Sequence, residues 1–325
     1  MAWSDVLDQE FTKRIWRTHL STGRVANAYL LVGPGGIGKR RLAFEMAKAL
    51  NCISEGERPC DTCITCGQII RQVHPDVHVV IPAGASNQIG IEETRQLIGR
   101  MALRPFNARV QVAIIDGADR LTLEAANSLL KALEEPSPHT KFLLTTAQFG
   151  DCLPTITSRC QAIRCRPLSN EVVAKMLVEQ HNCQPQTARA IARLSGGSMM
   201  RAMGLTQRWT EYQEVVKLLS SDQPADVVAS TQPETRETVA GLLDVLLAWL
   251  RDMLVVATAE GTPIAHAGQV KVLQRQARSV DPDRCLQAAF DLLELRESIE
   301  QFANPRLAAA LAREKWLTLR EAKSA

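Results

Sequence analysis

The stretch "LVGPGGIGKRRL", residues 31–42, joins an apolar run to a helical pattern through a glycine-rich turn. Such a turn lets backbone N–H groups and the N-terminus of the following helix face phosphate oxygens, and a lysine at its end adds a positive charge. The alternative is a glycine turn that serves packing alone. The spacing predicts a nucleotide- or phosphate-binding loop that contains Gly33, Gly36, Gly38 and Lys39.

The loop departs from the usual pattern at Arg40, where a Ser or Thr hydroxyl normally ligates Mg²⁺. Arginine removes that ligand and places a positive charge where the cation should lie. A second departure is in "VAIIDGADRL", where Asp116 has the position of the Mg²⁺-binding acid but Gly117 follows it. Glycine has no side chain to accept a proton from water. These two departures predict a site that has lost metal-assisted hydrolysis.

Outward from the loop, short apolar runs alternate with helical patterns between residues 27 and 166. This alternation is typical of a parallel sheet covered by helices, so the predicted fold class is α/β. The predicted strands are residues 28–32, 77–81, 110–116, 141–146 and 160–165, and the predicted helices are 39–50, 91–103 and 123–135.

After Pro167 the strand signals stop and amphipathic helical patterns take over, first at residues 170–180, 185–195 and 197–205. Longer amphipathic segments follow from about residue 208. The sequence therefore predicts three parts. These are an α/β domain over residues 1–167, a small helical domain over 168–207 and an all-helical domain over 208–325.

Four of the nine cysteines lie close together, with the spacing C-x₇-C-x₂-C-x₂-C inside residues 52–66. Thiolates at this spacing can converge on one ion, which predicts a closed, structural Zn²⁺ site without an open position for substrate. Two alternatives are a redox pair of Cys63 and Cys66, or a ligand supplied by His74 or His78. The predicted zinc ligands are Cys52, Cys60, Cys63 and Cys66.

Charge and hydropathy restrict the class of protein. The formal net charge of +3 is too small to indicate an autonomous nucleic-acid binder, so a zinc-bearing DNA-binding protein acting alone is disfavoured. The most apolar stretch, residues 242–256, is interrupted by Asp244, Arg251 and Asp252, which favours a buried helix over a membrane span. The first residues lack the pattern of a secretory signal, so we expect a cytoplasmic protein without a membrane partner.

With these residues assembled, the chain resembles the clamp-loader members of the AAA+ superfamily over residues 20–205. The resemblance rests on "GPGGIGKR", on the four-cysteine insertion, on "IIDGADRLTLEAANSLLKALEEPSPHTKFLLTT" and on "LPTITSRCQAIRCRPLS". It implies a RecA-like domain that carries the zinc insertion, a helical lid and a C-terminal collar that holds a hetero-pentamer together.

The resemblance also implies roles for single residues. Arg159, in the Ser-Arg-Cys motif at 158–160, would be an arginine finger that reaches the ATP site of a neighbouring motor subunit. A solvated surface arginine is the alternative. Arg201 would be the nucleotide-sensing arginine of the lid, or a helix-surface charge, and Thr145 or Thr146 would be the polar sensor, or a capped strand end.

Taken together, the resemblance implies a non-hydrolysing stator subunit of a replicative clamp loader. Such a subunit bridges an ATP-hydrolysing motor subunit and a clamp-opening subunit. It meets the sliding clamp and primed DNA through the assembled complex, which belongs to a replicative DNA polymerase. ATP could bind without being hydrolysed. The alternative is an active AAA+ ATPase, the motor subunit itself.

Overall fold

A computed structural model describes residue 3 and residues 6–84, 86–221, 235–259, 261–300 and 304–321. The chain divides into two compact units. The first comprises Met1–Val173 together with Gly196–Met200, and the second comprises Ala174–Ser195 together with Arg201–Ala325. The chain therefore leaves the first unit, returns to it for the short segment Gly196–Met200, and leaves it again.

The first unit is built on a five-stranded sheet with the strand order β2-β3-β4-β1-β5, in which every pairing is parallel. The prediction of a parallel α/β fold is confirmed, and each strand lies within one residue of its predicted bounds. The strands are β1 (Ala28–Val32), β2 (Val77–Val80), β3 (Gln111–Asp116), β4 (Thr140–Thr146) and β5 (Gln161–Arg164).

Helices connect these strands, as parallel pairing requires. Three of them, α2, α4 and α5, begin and end within two residues of their predicted bounds, whereas α1, α3 and the one-turn α6 were not predicted. The helices of this part are α1 (Glu10–Ser21), α2 (Lys39–Asn51), α3 (Ile64–Ile70), α4 (Ile91–Met101), α5 (Leu123–Glu134) and α6 (Pro154–Thr157).

The central strands β1, β3 and β4 are buried on both faces of the sheet, which explains their apolar runs, whereas β5 is exposed except at Ile163. Along β1, Tyr29 and Leu31 belong to the core on one face of the sheet, and Ala28 and Leu30 to the core on the other. Trp16 of α1 packs edge-on against Tyr29, with ring centroids 5.0 Å apart. The carboxyl ends of β1 and β3, which carry the glycine loop and Asp116, are fixed by this two-sided packing.

The rest of the described chain is helical. Helix α11 (Arg236–Thr258) contains the apolar stretch 242–256 and contributes its residues to the core of the second unit, which confirms the buried helix expected there. No helix of the described residues is both long and apolar enough to cross a membrane. The helices are α7 (Asn170–His181), α8 (Pro185–Leu194), α9 (Met199–Gln207), α10 (Trp209–Leu219), α11 (Arg236–Thr258), α12 (Val270–Ser279), α13 (Pro282–Glu300) and α14 (Pro305–Glu321).

A buried polar chain crosses the core of the second unit. Asp252, which is fully buried, accepts hydrogen bonds through Oδ2 from the backbone N–H of His266 at 2.7 Å and from its ring at Nδ1 at 2.8 Å. The Nε2 atom of the same ring lies 2.6 Å from the hydroxyl of Tyr212. The carboxylate is thus paired and hydrogen-bonded, as a buried charge must be.

Candidate nucleotide site and zinc centre

The glycine loop follows β1 and leads directly into α2, so its backbone faces the N-terminus of that helix. Gly36 has φ +75°, and a Cβ built there would lie 2.5 Å from Ser198 Oγ and 2.6 Å from Met200 Cβ. The backbone N–H of Met199 donates to the carbonyl of Gly36 at 2.9 Å. The segment Gly196–Met200 is thus packed closely against the middle of the loop, and only glycine fits at Gly36.

Lys39 is turned toward its own loop. Its Nζ donates to the carbonyl oxygens of Gly33 at 2.6 Å and of Pro34 at 2.7 Å. Burial lowers the pKa of Lys39, while the negative charges of groups that include Asp116 oppose that shift. The ammonium therefore lies against its own loop, and a phosphate would have to replace these two carbonyl oxygens as its partner.

Arg40 lies beside the acid that would hold Mg²⁺. Its Nε is 3.9 Å from Oδ2 of Asp116, and its NH2 donates to Oε1 of Gln72 at 3.3 Å. The guanidinium carbon is 5.9 Å from the ring centre of Phe44, which adds a cation–π contact. The arrangement puts a cationic side chain next to the carboxylate, at the chain position where the usual pattern has a hydroxyl ligand.

The other oxygen of Asp116 is held by a threonine. Thr145 Oγ1 donates to Asp116 Oδ1 at 2.6 Å and accepts the backbone N–H of Gly117 at 3.0 Å. Gly117 has φ +105°, and a Cβ built there would lie 3.2 Å from Cγ of Pro82. A glutamate at this position would be strained, so the backbone of the loop suits glycine and does not offer a place for a general base.

Arg159 follows α6 and makes its contacts on α5 and α6. Its Nε donates to Oε1 of Glu134 at 2.8 Å, and its NH2 makes a closer contact with the same oxygen. Its NH1 donates to the carbonyl of Thr155 at 2.9 Å and to the hydroxyl of Ser158 at 3.2 Å. The guanidinium is thus anchored, although 31% of the side chain is exposed.

Arg201 is an exposed residue of α9 and belongs to the second unit, one residue beyond the segment that packs on the glycine loop. Its role as a sensor stays a prediction.

The structure therefore brings Lys39, Arg40, Asp116 and Thr145 to one edge of the sheet, and it gives Arg159 partners on α5 and α6.

The four predicted zinc ligands converge. Their Sγ atoms all lie within 4.8 Å of one another, and two of the four residues are buried. Tetrahedral Zn²⁺ with Zn–S distances of about 2.3 Å would hold its sulfurs about 3.8 Å apart, so the set fits a structural zinc ion with little adjustment. Cys52 caps the end of α2, and Cys63 caps the start of α3 and accepts the backbone N–H of Cys66 at 3.4 Å.

The thiols differ in acidity. Hydrogen bonds from Thr62 and from the backbone of Cys63 lower the pKa of Cys60 to about 6, whereas burial raises the pKa of Cys52 and of Cys66. Buried thiols of this kind become thiolates when a divalent cation coordinates them. The residues present suit Zn²⁺, which would supply folding energy and no open coordination position.

The alternative histidine ligand is not supported by the geometry. His74 is buried, and its Nδ1 accepts the backbone N–H of Asp76 at 3.1 Å. Asp76 in turn accepts the backbone N–H groups of residues 106–108. His74 is therefore a turn residue that helps to hold this loop.

Sequence reasoning missed a buried ion cluster beside the cysteines. The Nζ of Lys48 lies 2.5 Å from Oδ1 of Asp61 and 2.6 Å from Oε1 of Glu45, and the Lys48 side chain is only 1% exposed. Asp61 lies between two of the zinc ligands, so Lys48 ties the insertion to α2. The sequence pattern that could have indicated this cluster is the pair Glu45 and Lys48, at i and i+3 within the mostly apolar helix "KRRLAFEMAKAL".

Two family models match this chain. Residues 8–169 match the family model described as DNA polymerase III, delta subunit, and residues 206–321 match the model described as DNA polymerase III, delta subunit, C terminal. The two matches together cover most of both units.

Several characterised proteins are similar to this chain. DNA polymerase III subunit delta' of Pseudomonas aeruginosa is 33% identical over 310 residues, which cover 89% of this chain and 90% of that protein. Subunit delta' of Bacillus subtilis is 34% identical over 60% of this chain and 59% of its own length. Subunit tau of Escherichia coli is 34% identical over 63% of this chain but only 32% of its own length, so the chain spans about a third of that relative.

Among solved structures, a gamma-subunit-related protein from Thermotoga maritima is 17% identical, with a TM-score of 0.44 over 92% of this chain and 99% of that chain. Both family models match this chain, and the relative from P. aeruginosa is matched over 90% of its length. On this evidence the chain belongs to the delta-prime subunit family of bacterial DNA polymerase III, within the clamp loaders.

Proposed function

We propose that this chain is a non-hydrolysing stator subunit of the replicative sliding-clamp loader. The observation that carries the proposal is the Arg40–Asp116 pair. The Arg40 Nε lies 3.9 Å from the carboxylate that would hold Mg²⁺ in a metal-assisted site of this pattern. A divalent cation at the same carboxylate would be repelled by that positive charge and would lack a hydroxyl ligand.

The water side of the site supports the same proposal. Gly117 cannot act as a general base, and its positive φ disfavours a glutamate in its place. Lys39 still offers a positive charge to a phosphate group, so the proposal allows ATP to bind without being hydrolysed. Binding would require the ammonium to exchange two loop carbonyls for phosphate oxygens. Arg201 is proposed to sense that nucleotide.

We further propose that Arg159 acts in trans. A guanidinium inserted into the ATP site of a neighbouring motor subunit would stabilise the negative charge that develops on the transferring phosphoryl group. Its partial exposure and its anchorage at the end of α6 suit a residue that must be presented to another protein.

The partners follow from the same proposal. The collar, residues 208–325, would hold the chain in a hetero-pentamer between a motor subunit and the clamp-opening subunit, and residues 168–207 would form the lid of the AAA+ domain at 1–167. The sliding clamp and primed DNA would be met through the assembled complex, in the cytoplasm. The zinc ion would be structural.

One observation favours the second candidate, an active motor subunit. Lys39 and the glycines of the loop are retained at the spacing that phosphate binding requires. If this set alone decided activity, the chain would hydrolyse ATP.

Steady-state ATP turnover by the purified, zinc-replete chain separates the two candidates. We expect no turnover above a Lys39→Ala control, with or without primed DNA. Clear turnover above that control would replace the stator by the motor. The finger is tested in the reconstituted complex, where Arg159→Ala should preserve assembly and lower ATP turnover, and turnover equal to wild type would remove Arg159 from this role.

A further inference from the structure

The ion pair between Arg159 and Glu134 uses most of the hydrogen-bonding capacity of the guanidinium. A guanidinium carries five N–H donors. In this chain Nε and one N–H of NH2 donate to the carboxylate of Glu134. NH1 donates to the carbonyl of Thr155 and to the hydroxyl of Ser158. Few donors are left for a phosphate, so a finger that engages ATP in a second protein must give up part of this set.

The charge of Glu134 has the same consequence. A carboxylate in contact with the guanidinium offsets the positive charge that would otherwise act on an approaching phosphate. The carboxylate would also lie close to that phosphate and repel it. Both effects oppose catalysis in trans as long as Arg159 and Glu134 form their ion pair.

The position of Glu134 in the fold shows that the pair is built into a rigid element. Glu134 is the last residue of α5, and the preceding Leu133 is buried in the sheet core. A carboxylate at the C-terminus of a helix is unfavourable because it meets the negative end of the helix dipole. Arg159, 25 positions along the chain, compensates that charge.

We propose that Glu134 is a cis latch for Arg159: it holds the guanidinium in the resting chain and competes with the phosphate of ATP bound to a neighbouring subunit. This inference rests on the proposed role of Arg159 as a trans-acting finger. When the ion pair with Glu134 breaks, Nε and NH2 become available to a phosphate. The hydrogen bonds from NH1 to Thr155 and Ser158 still hold the guanidinium in place.

The test replaces Glu134 by Gln in the reconstituted clamp-loader complex. Glutamine keeps the shape and one acceptor oxygen but removes the charge. We expect ATP turnover at subsaturating ATP to rise about twofold to fivefold, the range that an exposed ion pair of this kind accounts for. The rise should shrink at high salt, which already screens the pair. Glu135→Gln is the matched control, since the next carboxylate carries the same charge and should leave turnover unchanged.

The outcomes separate the latch from the finger. If Arg159→Ala lowers turnover but Glu134→Gln leaves it equal to wild type or lowers it, the latch is wrong and the finger stands. If Arg159→Ala has no effect, both fall. In the Arg159→Ala background, Glu134→Gln should change nothing, and a rise there would show that Glu134 acts through another group and would overturn the latch.

Discussion

The two ends of helix α2 carry sites of opposite character. At its N-terminus the nucleotide loop keeps its glycines and Lys39 but has Arg40 and Gly117 where ligand and base are needed. At its C-terminus Cys52 joins three other thiols in a complete set of metal ligands. The two sites differ in completeness: all four thiols of the metal-ligand set are present at one end of α2, whereas the loop at the other end keeps Lys39 but lacks the hydroxyl and the acid of the usual pattern.

The largest effect should come from the intact end. Replacing the buried Cys66 by Ser removes one of four thiolates, and structural zinc contributes on the order of 10 kcal/mol in small zinc peptides. We expect Cys66→Ser to abolish stoichiometric zinc and to expose residues 52–66 to protease. Metal analysis and limited proteolysis measure both. Cys183→Ser, which changes a cysteine of the second unit, should keep full zinc, and full zinc in Cys66→Ser would contradict the four-thiolate site.

A smaller loss is expected where Lys48 ties the insertion to α2. Lys48→Met would leave the carboxylates of Glu45 and Asp61 without their cation, and breaking a buried pair costs about 3–5 kcal/mol. Zinc affinity should also fall about 10- to 100-fold, because Asp61 lies among the ligands. Urea unfolding and a competitive zinc titration test this. Lys175→Met, in an exposed pair with Glu179, is the control and should change stability by less than about 1 kcal/mol.

The nucleotide end offers a third test through Gly117. An L-residue at φ +105° costs about 1–2 kcal/mol, so Gly117→Ala should lower the free energy of unfolding by that amount. Gly99→Ala, in the last turn of α4 with open space around the added carbon, should instead raise it by about 0.5–1 kcal/mol. Equal effects of the two changes would show that the conformation at Gly117 does not exclude a side chain.

The smallest effect is expected from restoring the missing hydroxyl alone. Arg40→Thr returns a Mg²⁺ ligand and removes a cation from the neighbourhood of Asp116, but Gly117 still lacks a base. ATP turnover of the isolated variant should therefore stay at the level of Lys39→Ala. Turnover well above that level would mean that Arg40 alone prevents hydrolysis. The nucleotide end of α2 would then lack one group and not two.

The sequence was most informative where one physical signal dominated. The central strands β1, β3 and β4 could be placed within one residue because strands buried on both faces carry apolar runs, as in "AYLLV". Helix α1 was missed because it buries Thr12 and Lys13 beside Trp16, which hides its apolar period. Helix α3 has only seven residues and contains Gly67, and its first turn is held by the cysteine cluster.

The same contrast applies to the candidate sites. The cysteine spacing identified four groups that the structure brings together, because their separation along the chain is short. Arg40 and Gly117 were recognised as departures from a pattern, yet the contact between Arg40 and Asp116 joins distant elements and needed the fold. The partner of Arg159 could not be found from the sequence, because Glu134 at the end of α5 is followed directly by Glu135 and only packing shows which one faces the arginine.

The return of the chain to the first unit at Gly196–Met200 has a consequence for any attempt to divide this protein. A fragment that stops after Val173 would contain all five strands and the whole glycine loop, yet it would lack the residues that pack on Gly36 and donate to its carbonyl. Such a fragment would expose a glycine backbone that the intact chain covers. The nucleotide loop is thus completed by amino acids encoded far downstream of it, and neither unit can be exchanged between relatives at a single crossover point.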